Sequence, residues 1–128
     1  MNIYVGIGNL TRDVEVRVVN TGGKQTSVAT FTLAITRRFQ RKNSQEWSEH
    51  TDFIPCEAWD SGAERLGEKC GKGDRIAVEG RLKVNEWEKD GQRHSRMVVR
   101  VNRFSVMNRH SNKSRDNDDD GYEDAGEF

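Results

Sequence analysis

From Ile3 to Met107 apolar residues recur mostly at every second position, the period of strands with one face in a core and the other in water. Ile3, Val5 and Ile7 alternate, then Val14, Val16 and Val18, before Asn20-Thr21-Gly22-Gly23 supplies a turn. Ala29, Phe31, Leu33 and Ile35 follow, interleaved with Thr30, Thr32, Ala34 and Thr36. A third strand, Thr51 to Trp59, sets Ile54, Cys56 and Ala58 on one face and Phe53, Pro55, Glu57 and Trp59 on the other. The fourth, Arg75 to Trp87, opposes Ile76, Val78, Gly80, Leu82 and Val84 to Ala77, Glu79, Arg81, Lys83, Asn85 and Trp87. Lys89-Asp90-Gly91 marks a hairpin turn. The last strand, about His94 to Met107, changes phase near Asn102, which predicts a bulge there. Pro55 has no N–H, so its strand should be an edge or bulged at that point. Residues 40–50 read as a long polar loop.

One short helix interrupts the strands. Ser61-Gly62-Ala63-Glu64 has the form of a capping box, Ala63, Leu66 and Cys70 keep one apolar face, and Gly71 offers a left-handed exit. The pattern is that of an all-β, five-stranded oligonucleotide-binding (OB) barrel with one short helix between strands three and four. At 128 residues there is room for one core, assigned to residues 1–107. Residues 108–128 hold only Tyr122, Ala125 and Phe128 as apolar groups, too few to offset ordering entropy, so they read as a disordered acidic tail.

The formal net charge of zero conceals two opposed halves. All 21 Lys and Arg lie within residues 1–115, with 14 of the 21 Asp and Glu, leaving that part at +7 and the last thirteen residues at −7. A basic body with an acidic end suits a surface for polyanions. No stretch is long and apolar enough for a membrane span, and the start lacks the basic and apolar runs of a secretory signal, so a cytoplasmic chain is expected. Cys56 and Cys70 then read as reduced, buried thiols.

Phe53 and Trp59 share the non-aliphatic face of strand three, Trp87 holds the matching position on strand four, and Phe39 closes strand two. Large rings left in water need a cover. Nucleobases provide one, because each has a π-face and stacking contributes roughly 1–3 kcal/mol per base whatever the sequence. Cations stand near these rings to track phosphates: Arg37, Arg38, Arg41 and Lys42 around Phe39, Arg81 and Lys83 beside Trp87, and Lys72 after the helix. A dimer interface or the far side of the core would also cover such rings. Trp47 is either a further stacking residue or an anchor of its loop.

Over residues 1 to about 107 the chain resembles the bacterial single-stranded DNA-binding protein family. The resemblance is carried by Asn2 to Asp13 with Glu15-Val16-Arg17, by Val28-Ala29-Thr30-Phe31-Thr32-Leu33-Ala34, and by Val78-Glu79-Gly80-Arg81-Leu82 followed by Trp87. It implies sequence-nonspecific binding that coats single-stranded DNA in replication, repair and recombination, in the cytoplasm on the nucleoid, by a homotetramer with no metal or cofactor. The family's stacking aromatics fall on Phe39, Phe53, Trp59 and Trp87. Three positions depart from its pattern: Ile54-Pro55 stands where His-Arg is common, Ser61 where a Lys is common, and Glu86 replaces a basic residue. The family's acidic tail ends in Ile-Pro-Phe and recruits repair and replication enzymes. Here Asp118, Asp119, Asp120, Glu127 and Phe128 keep the acidity and the terminal ring without Ile-Pro.

Other signals point to simpler explanations. Cys56, Cys70, His50, His94 and His110 lack the close pairing of a zinc site. Gly6-Ile7-Gly8 is half a dinucleotide fingerprint with no third glycine or helix after it. Glu49, His50 and Asp52 gather no further carboxylates, so an enzyme is not expected. The alternative to a DNA-coating protein is an OB adaptor that organises partner proteins and touches DNA or RNA weakly.

Overall fold

The computed structural model describes residues 1–110, together with the backbone of a two-residue strand at 123–124. Its elements in order are β1 (Tyr4–Leu10), β2 (Glu15–Thr21), β3 (Lys24–Gln40), β4 (Trp47–Trp59), α1 (Ser61–Lys69), β5 (Arg75–Lys89), β6 (Gln92–Asn108) and β7 (Glu123–Asp124). The sheet runs β1-β5-β6-β4-β3-β2, and β1 also pairs with β3 at Asn9↔Ala34 and Leu10↔Leu33, which closes the barrel. Its one parallel contact joins β4 to β6 at Cys56↔Val99 and Glu57↔Arg100. The first of the five expected strands is broken by residues 11–14 into β1 and β2, and the helix stands between the third and fourth, as the OB arrangement requires.

Turn chemistry sets the register. Gly22 and Gly23 both adopt positive φ, as do Asp90 and Gly91, so each pair forms a two-residue turn whose twist matches the flanking strands. The second turn pairs Trp87 with His94 and Arg81 with Arg100. Asn102 is skipped where Glu79↔Arg103 gives way to Gly80↔Val101, which is the bulge expected from the phase change. Gly80 is required there, since a Cβ would strike the Arg100 carbonyl. Pro55 shows no register shift; it pairs with Thr32, and the β6 ladder beside β4 begins only at Cys56.

Four local expectations need correction. The helix is capped one residue early: Asp60 enters with φ 58°, donates its N–H to the Ser27 carbonyl, and makes no side-chain cap, while Glu64 accepts from the Ser27 hydroxyl at 3.4 Å. The exit runs through extended Cys70, and Gly73 rather than Gly71 takes positive φ. Residues 40–50 are not all loop, because backbone pairing carries a β3–β4 ribbon out to Gln40↔Trp47, leaving 41–46 between the strands. Finally, Ile3, Val5 and Ile7 point outward. Gly8 is the buried one, because a Cβ there would lie 2.8 Å from the Ala34 carbonyl, so β1 must approach β3 closely.

The core gathers Leu10, Ala29, Phe31, Leu33, Cys56 and Ala58 with Leu66 of the helix and Ile76, Val78, Val99, Val101 and Phe104. Burial pushes the Cys56 thiol up to about 12, so it is a neutral core group. Past β6 the chain stays tied down: Arg109 donates to the Lys69 carbonyl at 2.7 Å, and the His110 N–H donates to Asp74 at 2.7 Å. β7 pairs with Arg103 and Phe104 of β6; the expected tail contacts Asp118, Asp119, Asp120, Glu127 and Phe128 lie outside the described residues.

Candidate nucleic-acid interface

Strand register assembles one continuous outer face. Ala34↔Phe53, Thr32↔Pro55, Thr30↔Glu57 and Val28↔Trp59 place Phe53 and Trp59 beside the threonines of β3. The parallel step from Glu57 to Arg100 carries that face onto β6, and the hairpin register then adds Arg81, Lys83, Asn85 and Trp87 of β5 opposite Arg100, Val98, Arg96 and His94. Side-chain contacts agree with it: Thr36 and Thr51 hydroxyls meet at 2.8 Å, Asn85 donates to Glu57 at 3.1 Å, and Trp87 stacks on His94 with centroids 5.6 Å apart.

Phe53 is 64% exposed and Trp87 45%, while Trp59 is half-buried with the Arg100 guanidinium 4.8 Å above its ring. Burial holds that guanidinium below the usual arginine range; Glu57 opposes the shift and Arg81 adds to it. A guanidinium over an indole is a cation–π contact, so a base stacking on that face of Trp59 would have to displace Arg100 or stack on its guanidinium plane. Between these groups lies a cavity of about 340 Å³, lined by Thr30, Thr32, Pro55, Asn85 and Trp87 with the cations Arg12, Arg17 and Arg96 and the acids Asp13, Glu15 and Glu57.

The remaining selected residues are placed less uniformly. Phe39 lies five residues beyond Ala34 on β3, so it falls on the opposite face of the ribbon from Phe53, half-buried under Arg37 at 5.2 Å. Trp47 has the parity of Phe53 and is 60% exposed, with Arg38 at 5.7 Å from its ring and 3.7 Å from Glu49. Arg41 and Lys42 are exposed in the segment that joins β3 to β4. The Lys72 N–H donates at 2.8 Å to Asp13, one of the residues that line the cavity. Arg81 and Lys83 are partly buried on the shared face.

Sequence reasoning missed His94, Arg96 and Arg100 on that face. A two-residue turn at Asp90-Gly91 forces partners whose numbers sum to 181, so Trp87 alone would have located His94, and Arg81 would have located Arg100. Among the described residues no group of three or more His, Cys, Asp or Glu is placed to hold a metal ion, and no helix is long and apolar enough to cross a membrane.

A closed OB barrel with three rings and paired guanidinium groups on one sheet face defines the structural class. Residues 1–107 match the single-strand binding protein family, and the chain belongs to that family. It is 37% identical over 121 residues to single-stranded DNA-binding protein 3 of Clostridium acetobutylicum, covering 92% of this chain and 80% of that one. It is 32% identical over 107 residues to the single-stranded DNA-binding protein of Treponema pallidum, covering 84% of this chain but 58% of that longer protein. Among solved structures, the Plasmodium falciparum SSB complex with ssDNA matches with a TM-score of 0.66 at 24% identity, over 79% of this chain and 86% of that one, a likeness of fold.

Proposed function

We propose that this chain binds single-stranded DNA without strict sequence requirement and coats it during replication, repair and recombination. The observation that carries the reading is the single face on which Phe53, Trp59 and Trp87 stand among Arg81, Lys83, Arg96 and Arg100. Rings without sequence-specific partners accept any base, and guanidinium groups beside them take the phosphates. Nothing in this chemistry requires a cofactor or a catalytic group, and the role is that of a binding protein in the cytoplasm on the nucleoid.

The working unit is a homotetramer. Ile3 at 65%, Val5 at 63% and Ile7 at 41% exposure line the outside of β1, and Leu82, Val84 and Met97 lie open on the β5–β6 hairpin. Such a stripe on a chain that is one-third charged supports coverage by further copies. The acidic tail recruits repair and replication proteins and competes with DNA for the basic body. The pairing of β7 with Arg103 and Phe104 of β6 supports a tail that returns to the domain.

Titration of tryptophan fluorescence with a mixed-sequence oligonucleotide tests the reading. Deep quenching at micromolar or lower concentration, relieved by salt, is the expected result. No quenching would favour a partner-organising adaptor instead.

A further inference from the structure

Trp47 continues the row of rings onto the ribbon. It precedes Phe53 by six residues on β4, about 20 Å along an extended strand. The register sets it on the same side: Gln40↔Trp47, Arg38↔Glu49, Thr36↔Thr51 and Ala34↔Phe53. Three side-chain contacts agree with that placement. The Thr36 and Thr51 hydroxyls meet at 2.8 Å, Arg38 Nε lies 3.7 Å from a Glu49 carboxylate oxygen, and the Arg38 guanidinium stands 5.7 Å from the centroid of the Trp47 ring. Phe39 belongs to the other side, so Trp47 is the ring that prolongs the face of Phe53. Nor is Trp47 a buried anchor of the segment 41–46, since it remains 60% exposed with Arg38 against it. A large ring left in water is costly until something covers it.

We infer that Trp47 and Arg38 form a further station for single-stranded DNA toward the tip of the ribbon, where Trp47 stacks on a base and Arg38 takes a phosphate. This rests on the proposed function and lengthens its site. The occupant is the strand already held by the barrel face, because the two surfaces are continuous through Thr36, Thr51 and Phe53. Arg38 can change partners at little cost. Its ion pair with Glu49 is 66% and 64% exposed on the two side chains, and a pair so open to water holds weakly. A phosphate displaces Glu49 while the guanidinium keeps its contact with the ring. Over residues 37–49 the cations Arg37, Arg38, Arg41 and Lys42 outnumber the acids Glu46 and Glu49, which favours a polyanion over an acidic partner.

Fluorine NMR of the full chain labelled with 5-fluorotryptophan reads the contact directly during titration with oligo-dT of about thirty nucleotides, longer than the site of one barrel. Trp47→Phe identifies the Trp47 resonance by its loss. That resonance should move together with those of Trp59 and Trp87. Trp47→Ala should weaken binding by about tenfold, as for one stacked base, and Trp47→Phe by less than about threefold. Arg38→Ala should flatten the plot of log affinity against log salt by about 0.7. A Trp47 resonance that stays in place while the other two move would overturn the inference, whether or not the alanine variant folds. So would unchanged affinity in Trp47→Ala, including the case where only its subunit number changes and the ring covers a second copy. Failure of all three resonances to move at low salt would instead remove the proposed function on which the station rests.

Discussion

The closed barrel and the β3–β4 ribbon that projects from it are built from the same two strands, yet the two-residue period means different things in each. Inside the barrel it separates core from surface: Phe31 and Leu33 are buried while Thr30 and Thr32 face outward. Past Ile35 both faces meet solvent, so alternation merely distributes rings between two open sides, Phe39 on one and Phe53 with Trp47 on the other. Rings in the barrel hold the fold together, whereas rings on the ribbon and its outer face are left wholly or partly in solvent.

Truncation should separate the two regions most sharply. Phe104→Ala, in the core at 1% exposure, should lower unfolding free energy by about 3–5 kcal/mol. Phe53→Ala should leave it within about 0.5 kcal/mol. Denaturant titration of both variants is the measurement, and a costly Phe53→Ala would place that ring in a packing role. DNA affinity should show the reverse order. Phe53→Ala and Trp87→Ala should each weaken single-strand binding by about 1–3 kcal/mol, with Phe39→Ala clearly less harmful. Equal losses at Phe39 and Phe53 would mean that the strand wraps both sides of the ribbon.

Charge gives a finer comparison. Arg96→Ala or Arg100→Ala should each flatten the plot of log affinity against log salt by about 0.7, the increment for one phosphate on a single strand. Lys72→Ala, beside the cavity residue Asp13, should flatten it by a similar increment, and an unchanged slope would remove Lys72 from the site. Removing residues 116–128 should raise affinity at low salt more than at high salt, and unchanged affinity would exclude tail competition. The smallest effect concerns Cys56. Its folded pKa of about 12 exceeds the unfolded thiol value, so the associated stability is complete at neutral pH and lost as pH rises from about 9 through about 12. Alkylation at pH 8 should accordingly be slow in the native protein and fast in denaturant.

Much of the fold was legible because its determinants are local. Asp90-Gly91 specifies a two-residue turn, and the break between Val101 and Phe104 reveals the bulge at Asn102. What stayed hidden depends on distant groups. The inward side of β1 is decided by its approach to Ala34, which turns the larger residues outward. The helix cap is decided by the bond between Asp60 and Ser27, more than thirty residues earlier. The ribbon escaped notice because its pairing buries no apolar stripe. At the site, parity alone selected Phe53, Trp59 and Trp87, but the contacts of Glu57 with Asn85 and Lys83 become apparent only when β4 and β5 come together.

The chain holds three tryptophans, Trp47, Trp59 and Trp87, which allows the shared face to be tested ring by ring. Fluorine NMR of the 5-fluorotryptophan-labelled protein during titration with single-stranded DNA is the most direct measurement. The Trp59 and Trp87 resonances should move together on binding and return as salt releases the strand. Binding that leaves both resonances in place would contradict the assignment of this face.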